Sequence, residues 1–438
     1  MRYDIVIRNG SVVTPEGVEN VSIAISDGLI AVVEPELSGD AAEEIDATGL
    51  HVLPGLIDSH VHFNEPGRTD WEGFATGSSA IAAGGGTCYF DMPLNSSPPT
   101  IDGPSFDLKR AAAEAQSVTD FGLWGGLVPG NVEMLDDLAE RGVVGFKAFM
   151  CSSGISDFER ADDRTLFDGM ARASRLKLPV AVHAENDELT RYMGNGTGVR
   201  DYLNSRPVLA ELEAMQRAIL LAEETGCSLH LVHVSCGRGV ALVAEARLRG
   251  VDVTCETCPH YLELSDEDME RLGAVAKCAP PLRSRADRDD LWSHLAQIDL
   301  VASDHSPSPP ELKTSDDFFR VWGGIAGCQT TLAILLKHRL TLPRLAALTS
   351  RAPADRFRLP RKGRIETDFD ADLTLVDLKD VNTLRLEDLF YRHAVSPYLD
   401  LSIPRFVRRT IVRGQTVFVD GKLTGVRAGR LATPKARA

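Results

Sequence analysis

What most constrains this chain is an alternation that runs through its middle. Eight short apolar runs, at 56–63, 86–91, 121–127, 143–149, 179–183, 228–235, 251–256 and 299–304, recur along the sequence. Most are followed by helix-like stretches rich in Ala, Leu, Glu and Arg, as at 105–117, 132–141, 166–177, 209–225 and 238–249. Such runs read as strands buried on both faces, and strand–helix alternation builds a parallel sheet, because parallel neighbours need a crossover. Eight βα units over about 300 residues predict an α/β protein with a (β/α)8 TIM barrel and insertions. A doubly wound open sheet is the alternative, but it gives no reason for polar residues to punctuate so many strand ends.

The two chain ends carry short strands of another style. Tyr3-Asp4-Ile5-Val6-Ile7-Arg8 meets a turn at Asn9-Gly10, Val21-Ser22-Ile23-Ala24-Ile25 alternates toward Asp27-Gly28, and a run at 29–33 follows. Runs at 371–376 and 407–412 answer them, and Thr416-Val417-Phe418-Val419 enters Asp420-Gly421. Neither end can bury a core alone. The expected arrangement is one small β-sandwich made from residues 1–52 and 367–438, beside a barrel of residues 53–366. The tail 433–438 is expected to fray. A formal charge of −16, from 47 Lys+Arg against 63 Asp+Glu, argues against nucleic acid as a partner, which needs clustered basic residues. No apolar run approaches the roughly 18 residues of a membrane span. The start, with Arg2 and Asp4 flanking a short apolar stretch, does not read as a signal peptide. The eight cysteines are therefore read as reduced thiols, and the cytoplasm is the expected compartment.

Barrels of this kind do their chemistry at the C-terminal ends of the strands. Asp58-Ser59-His60-Val61-His62-Phe63 closes the first run, and strand alternation turns His60 and His62 to one face. Such a pair suits a divalent metal; the plain alternative is two surface histidines. His183 ends another run. In Leu229-His230-Leu231-Val232-His233-Val234 the two histidines are three apart, so only one is expected to enter the barrel. His233 is the candidate ligand and His230 is read as structural. Asp304, in Val301-Ala302-Ser303-Asp304-His305, closes the last run with a carboxylate. Four histidines and one aspartate at the same end of four strands define a metal site.

Lys147 lies inside Val143-Val144-Gly145-Phe146-Lys147-Ala148-Phe149-Met150, where an ammonium enters an apolar strand at high desolvation cost. Three readings stand: a snorkelling structural lysine, a Schiff-base lysine, or an amine carboxylated by carbon dioxide that bridges two metals. Four histidines and one carboxylate exceed the needs of one tetrahedral zinc, which favours the third. Cys255-Glu256-Thr257-Cys258 has no second pair at zinc-ribbon spacing and is read as structural. Gly84-Gly85-Gly86 lacks the Lys-Ser/Thr of a phosphate loop and is read as the turn into the second strand.

The run His60-Val61-His62-Phe63-Asn64-Glu65-Pro66-Gly67-Arg68-Thr69-Asp70-Trp71-Glu72-Gly73-Phe74 resembles the amidohydrolase superfamily, in its cyclic-amidohydrolase branch of dihydroorotases, hydantoinases and allantoinases. The likeness extends over essentially the whole chain, through Val182-His183-Ala184-Glu185-Asn186, His233-Val234-Ser235, Cys258-Pro259-His260-Tyr261, Ala279-Pro280-Pro281-Leu282-Arg283 and Ser303-Asp304-His305. It implies a barrel beside a β-sandwich, with His60, His62 and Asp304 on one metal, His183 and His233 on the other, and carboxylated Lys147 bridging them. Two zinc ions are implied, although cobalt, manganese and iron suit the same ligands.

Within the branch the wording is most similar to the allantoinases. Asn64 stands where dihydroorotases usually carry an arginine for the substrate carboxylate, and Asp91-Met92-Pro93-Leu94-Asn95 and Trp322-Gly323-Gly324-Ile325-Ala326-Gly327 are allantoinase-like. Ala148-Phe149-Met150 lacks the tyrosine that hydantoinases place beyond the lysine. The implied reaction is hydrolysis of a cyclic amide, (S)-allantoin to allantoate in purine degradation. Asp304 would carry the proton, while Asn64, Asn95, Ala279 and Gly323 would orient a small cyclic ureide. Dihydroorotase or hydantoinase activity is the alternative within the branch. A non-catalytic scaffold is the alternative outside it, but such proteins typically lose metal ligands, and here all six positions are filled. Arg68 is expected to brace its loop against Asp70 or Glu72, and neither His260 nor His305 is taken as a ligand. The resemblance implies a homotetramer or dimer, with no membrane or nucleic-acid partner.

Overall fold

In the computed structural model, which describes residues 2–191 and 194–435, barrel strand follows barrel strand in chain order. The eight are Leu56–Val61, Gly86–Asp91, Asp120–Leu123 continued by Gly125–Gly126, Phe146–Phe149, Val180–His183, Leu229–Leu231, Val253–Thr257 and Leu300–Val301. Neighbours pair in parallel. The third strand turns at Trp124, so that its first half pairs with the second strand and its second half with the fourth. A parallel bridge between Val61 and His305 joins the last strand to the first, and closure leaves the barrel no open edge. Every expected run contributes a strand, and the expected helices appear at Gly103–Gln116, Leu135–Arg141, Asp163–Leu176, Val208–Thr225 and Gly237–Leu248. Capping fixes where some begin: Asp102 accepts the Ser105 N–H at 2.9 Å and Asp162 the Thr165 N–H at 2.8 Å.

The barrel interior is filled by Ile57, Cys88, Phe90, Trp124, Val144, Ala181 and Leu300. Phe357, just after the helix Ala352–Arg356, enters from the N-terminal end, where Arg356 Nη2 donates to the Leu229 carbonyl at 2.6 Å. Its ring meets Phe90, Trp124 and His230 edge-on at 5.0, 5.2 and 5.6 Å. This plug leaves the polar strand ends at the opposite mouth.

Both chain ends build the second layer system. A four-stranded sheet runs Leu29–Glu34, Ser22–Ser26, Arg2–Arg8, Asp40–Asp46. A seven-stranded sheet runs Lys422–Leu423, Gln415–Val419, Val407–Val412, Leu373–Val376, His51–Pro54, Ser11–Thr14, Gly17–Asn20. The ends meet in the second sheet, with Leu373 opposite Pro54 and Val376 opposite His51. Ile5, Ile7, Ile23, Ile25, Val52, Leu373 and Ile411 share one buried cluster, so both ends contribute to a single core. The chain then returns to the barrel: Leu431 bridges Phe121, and Lys435 donates its backbone N–H to Arg358 at 2.9 Å. The tail expected to fray is therefore docked as far as Lys435, and residues 436–438 lie outside the described residues. All eight cysteines are buried free thiols, and no helix among the described residues is long and apolar enough to cross a membrane.

Candidate active site

At the C-terminal mouth the expected ligands come together. Nε2 of His60 and Nε2 of His62 lie 3.3 and 3.4 Å from one oxygen of Asp304. His183 Nδ1 lies 2.9 Å from His233 Nε2, and the His60 and His233 rings are 5.5 Å apart. Lys147 stands beside Ala181 in the strand register, and Phe149 beside His183, their rings stacked at 4.5 Å. Two of the six expected ligands reach the site through left-handed backbone, His233 at φ 42° and Asp304 at φ 47°, a region that a β-carbon disfavours. This corrects the expectation for the sixth strand. The strand ends at Leu231, so His233 is released from its alternation and turns inward, while His230 keeps the alternation and meets Phe357 inside the barrel. Both histidines enter.

Buried carboxylates fix the rings. Glu256 Oε1 accepts from His60 Nδ1 at 2.5 Å, and its Oε2 accepts from His230 Nε2 and the Ser59 hydroxyl, each at 3.1 Å. Glu185 Oε2 accepts from His183 Nε2 at 2.8 Å, and Arg206 grips both Glu185 oxygens at 3.0 and 2.6 Å. Sequence reasoning missed both glutamates as site residues. Burial opposes their ionisation, yet His60 and His230 around Glu256, and Arg206 and His183 around Glu185, hold both well below the usual carboxylate range. Ionised carboxylates only accept, so the ring protons sit on His60 Nδ1 and His183 Nε2, and bare nitrogens face the mouth.

Burial lowers the pKa of His60, His183 and His233, favouring the neutral ligand form. For Asp304, burial raises the pKa, but His60 and His62 beside it bring it down to about 2. Lys147 is fully buried, its Nζ has no hydrogen-bond partner among the described residues, and burial draws it down to about 8. Two imidazole nitrogens 2.9 Å apart, one ring's proton already given to Glu185, suit a shared cation; with the aspartate and the unpartnered lysine nitrogen, the donor set fits divalent metals.

The cluster opens into a cavity of about 370 Å³ whose lining includes Asn95, Ala279 and Gly323. The Asn95 amide lies 3.4 Å from His62 Nδ1. Gly323 has no partner among the described residues for its backbone N–H or C=O. Asn64 is buried outside this lining, at φ 65°, and donates to the Pro307 carbonyl at 3.4 Å. Arg68 does not brace against Asp70 or Glu72. Its Nη1 donates to the Asn95 carbonyl at 2.7 Å, and it lies over the Trp71 ring, because the loop folds back across the mouth. His305 accepts the Gly327 N–H at 3.1 Å and lies 3.5 Å from Glu72, whereas His260 is buried with no partner among the described residues on either ring nitrogen and is drawn down to about 4 by burial.

Residues 51–421 match the Amidohydrolase family, and the chain belongs to it: it is an amide-hydrolysing enzyme of the family that builds on this barrel. It is 56 % identical to the Allantoinase of Rubrobacter xylanophilus, over 99 % of this chain and 98 % of that one. It is 55 % identical to the Allantoinase of Solibacter usitatus, over 98 % and 97 %. Among solved structures, the L-hydantoinase (dihydropyrimidinase) from Arthrobacter aurescens superposes with a TM-score of 0.95 at 33 % identity, covering 98 % of this chain and 100 % of that one.

Proposed function

We propose that the chain hydrolyses (S)-allantoin to allantoate, a ring-opening step of purine degradation. What supports the reading is the gathering of His60, His62 and Asp304, and of His183 with His233, at one mouth, with ring protons directed away by Glu185 and Glu256. The relatives named Allantoinase, similar over nearly the whole of both chains, supply the substrate. His60, His62 and Asp304 would hold one divalent ion, His183 and His233 a second, and Lys147, carboxylated, would stand between them. Zinc is the proposed metal. Such ions, when bound, acidify a water and polarise the ring carbonyl.

The remaining work falls to the chain's own groups. Asp304 is ionised at neutral pH, so its carboxylate takes the proton of the attacking water. It returns that proton to the ring nitrogen as the C–N bond breaks. Gly323 offers a free N–H and C=O, which match the alternating C=O and N–H edge of a cyclic ureide, while Asn95 and the backbone at Ala279 hold the ring against the histidines. Asn64 contributes the turn after the histidine pair.

The test is a substrate panel on one metal-analysed preparation, with kcat/KM for allantoin, hydantoin and dihydroorotate. Neither Asn64 nor Arg68 gives the histidine-pair side of the cavity a cation for a carboxylate. Allantoin should therefore exceed dihydroorotate by at least about tenfold, the factor of one lost charge-assisted hydrogen bond. A preference for dihydroorotate or hydantoin overturns the reading. Light scattering on the same preparation checks the tetramer or dimer proposed as the assembly.

A further inference from the structure

One wall of the cavity is residues 319–324, and another is the segment that carries Cys278 and Ala279. Ala279, like Gly323, has no partner among the described residues for its backbone N–H or C=O. Two lysines decide how these walls stand to each other. Lys277 is buried, and its Nζ donates to the carbonyls of Phe318, Phe319 and Val321 at 2.7, 3.4 and 2.6 Å. Its own carbonyl accepts the Gly324 N–H at 2.7 Å, and Gly323 lies along its stem, where a β-carbon would come 4.0 Å from Lys277 Cγ. Lys313 Nζ donates to the carbonyls of Ala274, Trp322 and Gly324 at 3.2, 3.2 and 3.0 Å, so that it brackets Gly323. An ammonium has three protons to give, and each lysine spends all three on backbone carbonyls. Neither keeps a donor for a ligand. The Tyr202 hydroxyl ties the second wall in turn, donating to the Cys278 carbonyl at 2.9 Å, with its ring 4.6 Å from Lys277 Nζ.

We propose that Lys277 and Lys313 are positioning residues that fix the backbone of Gly323 in register with that of Ala279, so that both engage the amide groups of one cyclic ureide. The inference rests on the ring-opening reading above and deepens it, but it does not depend on which ring is opened. Residues 318–324 belong to no helix or strand. Their carbonyls are held instead by the lysines, those of 318, 319 and 321 by Lys277 and those of 322 and 324 by Lys313. Gly323 is left with its own polar groups free between two tethered neighbours. A wall already ordered spends none of the ligand's binding free energy on its own ordering. Without the lysines the wall would have to order as the ring arrives, and binding would weaken while the groups that break the amide stay in place.

The experiment compares wild type with Lys277→Met and Lys313→Met, which keep much of the stem and remove the donors. Metal per chain, kcat and KM are measured on each of allantoin, hydantoin and dihydroorotate that the wild type opens. Lys277→Met should raise KM about tenfold or more, by a similar factor on each ring, with kcat and metal content within about threefold. Phe357→Ala is the packing control: it empties the core at the N-terminal end of the barrel, touches neither wall, and should leave KM within about twofold. A folded Lys277→Met protein with KM within about twofold of wild type overturns the inference. So does loss of its metal, or an equal rise of KM in Phe357→Ala. If Lys277→Met does not fold, Lys313→Met decides by the same limits. A wild type that opens hydantoin but not allantoin overturns the allantoin reading, and this inference is then decided on hydantoin. A wild type that opens none of the three rings overturns both.

Discussion

Among the described residues Lys147 has no acceptor for its nitrogen, which faces the Phe149 ring 5.1 Å away. A carboxylated amine would convert that isolated nitrogen into the shared anion of a two-metal site. Lys147→Ala should therefore lose metal and turnover together, since two cations would be left with neutral imidazoles and one carboxylate. Added propionate or acetate should restore part of the rate by standing in for the missing anion. Metal per chain, by mass spectrometry beside turnover, decides it: a full complement with full activity in the variant refutes the bridge. Lys147, His183 and Asp304 were legible in the sequence because a polar group in an otherwise apolar run is an anomaly a strand cannot absorb. Glu185 and Glu256 carry the same anomaly and went unread as site residues, because their purpose is set by partners that only strand register supplies; His60 is 196 residues from Glu256. The parity of His230 and His233 failed for a different reason, a single φ of 42° that no pattern of apolar residues encodes.

Elements were read well where both faces are buried and poorly where neither is. All six residues of Leu56–Val61 and of Gly86–Asp91 are buried, and such runs announce themselves. Asp40–Asp46, by contrast, buries only Ile45 and exists because Arg2–Arg8 offers it a parallel edge, a long-range fact invisible in its own composition. The element that closes the barrel was equally hidden, since the helix Ala352–Arg356 is short and its one consequential residue follows it. Phe357→Ala should cost about 3–5 kcal/mol, the usual price of emptying a buried aromatic site. Urea unfolding should show the midpoint falling while metal content and kcat at 25 °C stay within about twofold. An unchanged midpoint would mean that the ring is not the plug.

The whole molecule is held together by a buried ionic knot between barrel and sandwich. Lys362 Nζ reaches Asp120 at 2.7 Å, Asp372 at 2.6 Å and Asp370 at 3.2 Å, and Arg413 pairs with Asp120 as well. Asp120 opens the third barrel strand, whereas Asp370 and Asp372 precede the sandwich strand Leu373–Val376. The three carboxylates lie close enough to hold a metal ion, yet lysine and arginine already supply their countercharge. Burial disfavours the Lys362 charge, but the surrounding acids hold its pKa well above the ordinary value. Lys362→Met leaves that group of acids without its central cation and should destabilise the fold by about 3–5 kcal/mol, read from urea unfolding at pH 7. A loss below about 1 kcal/mol would show that Arg413 alone suffices. The plug at the N-terminal end of the barrel has a consequence for traffic. With Phe357 filling the lower end, reactant and ring-opened product share the C-terminal mouth, so each turnover waits for the previous occupant to leave.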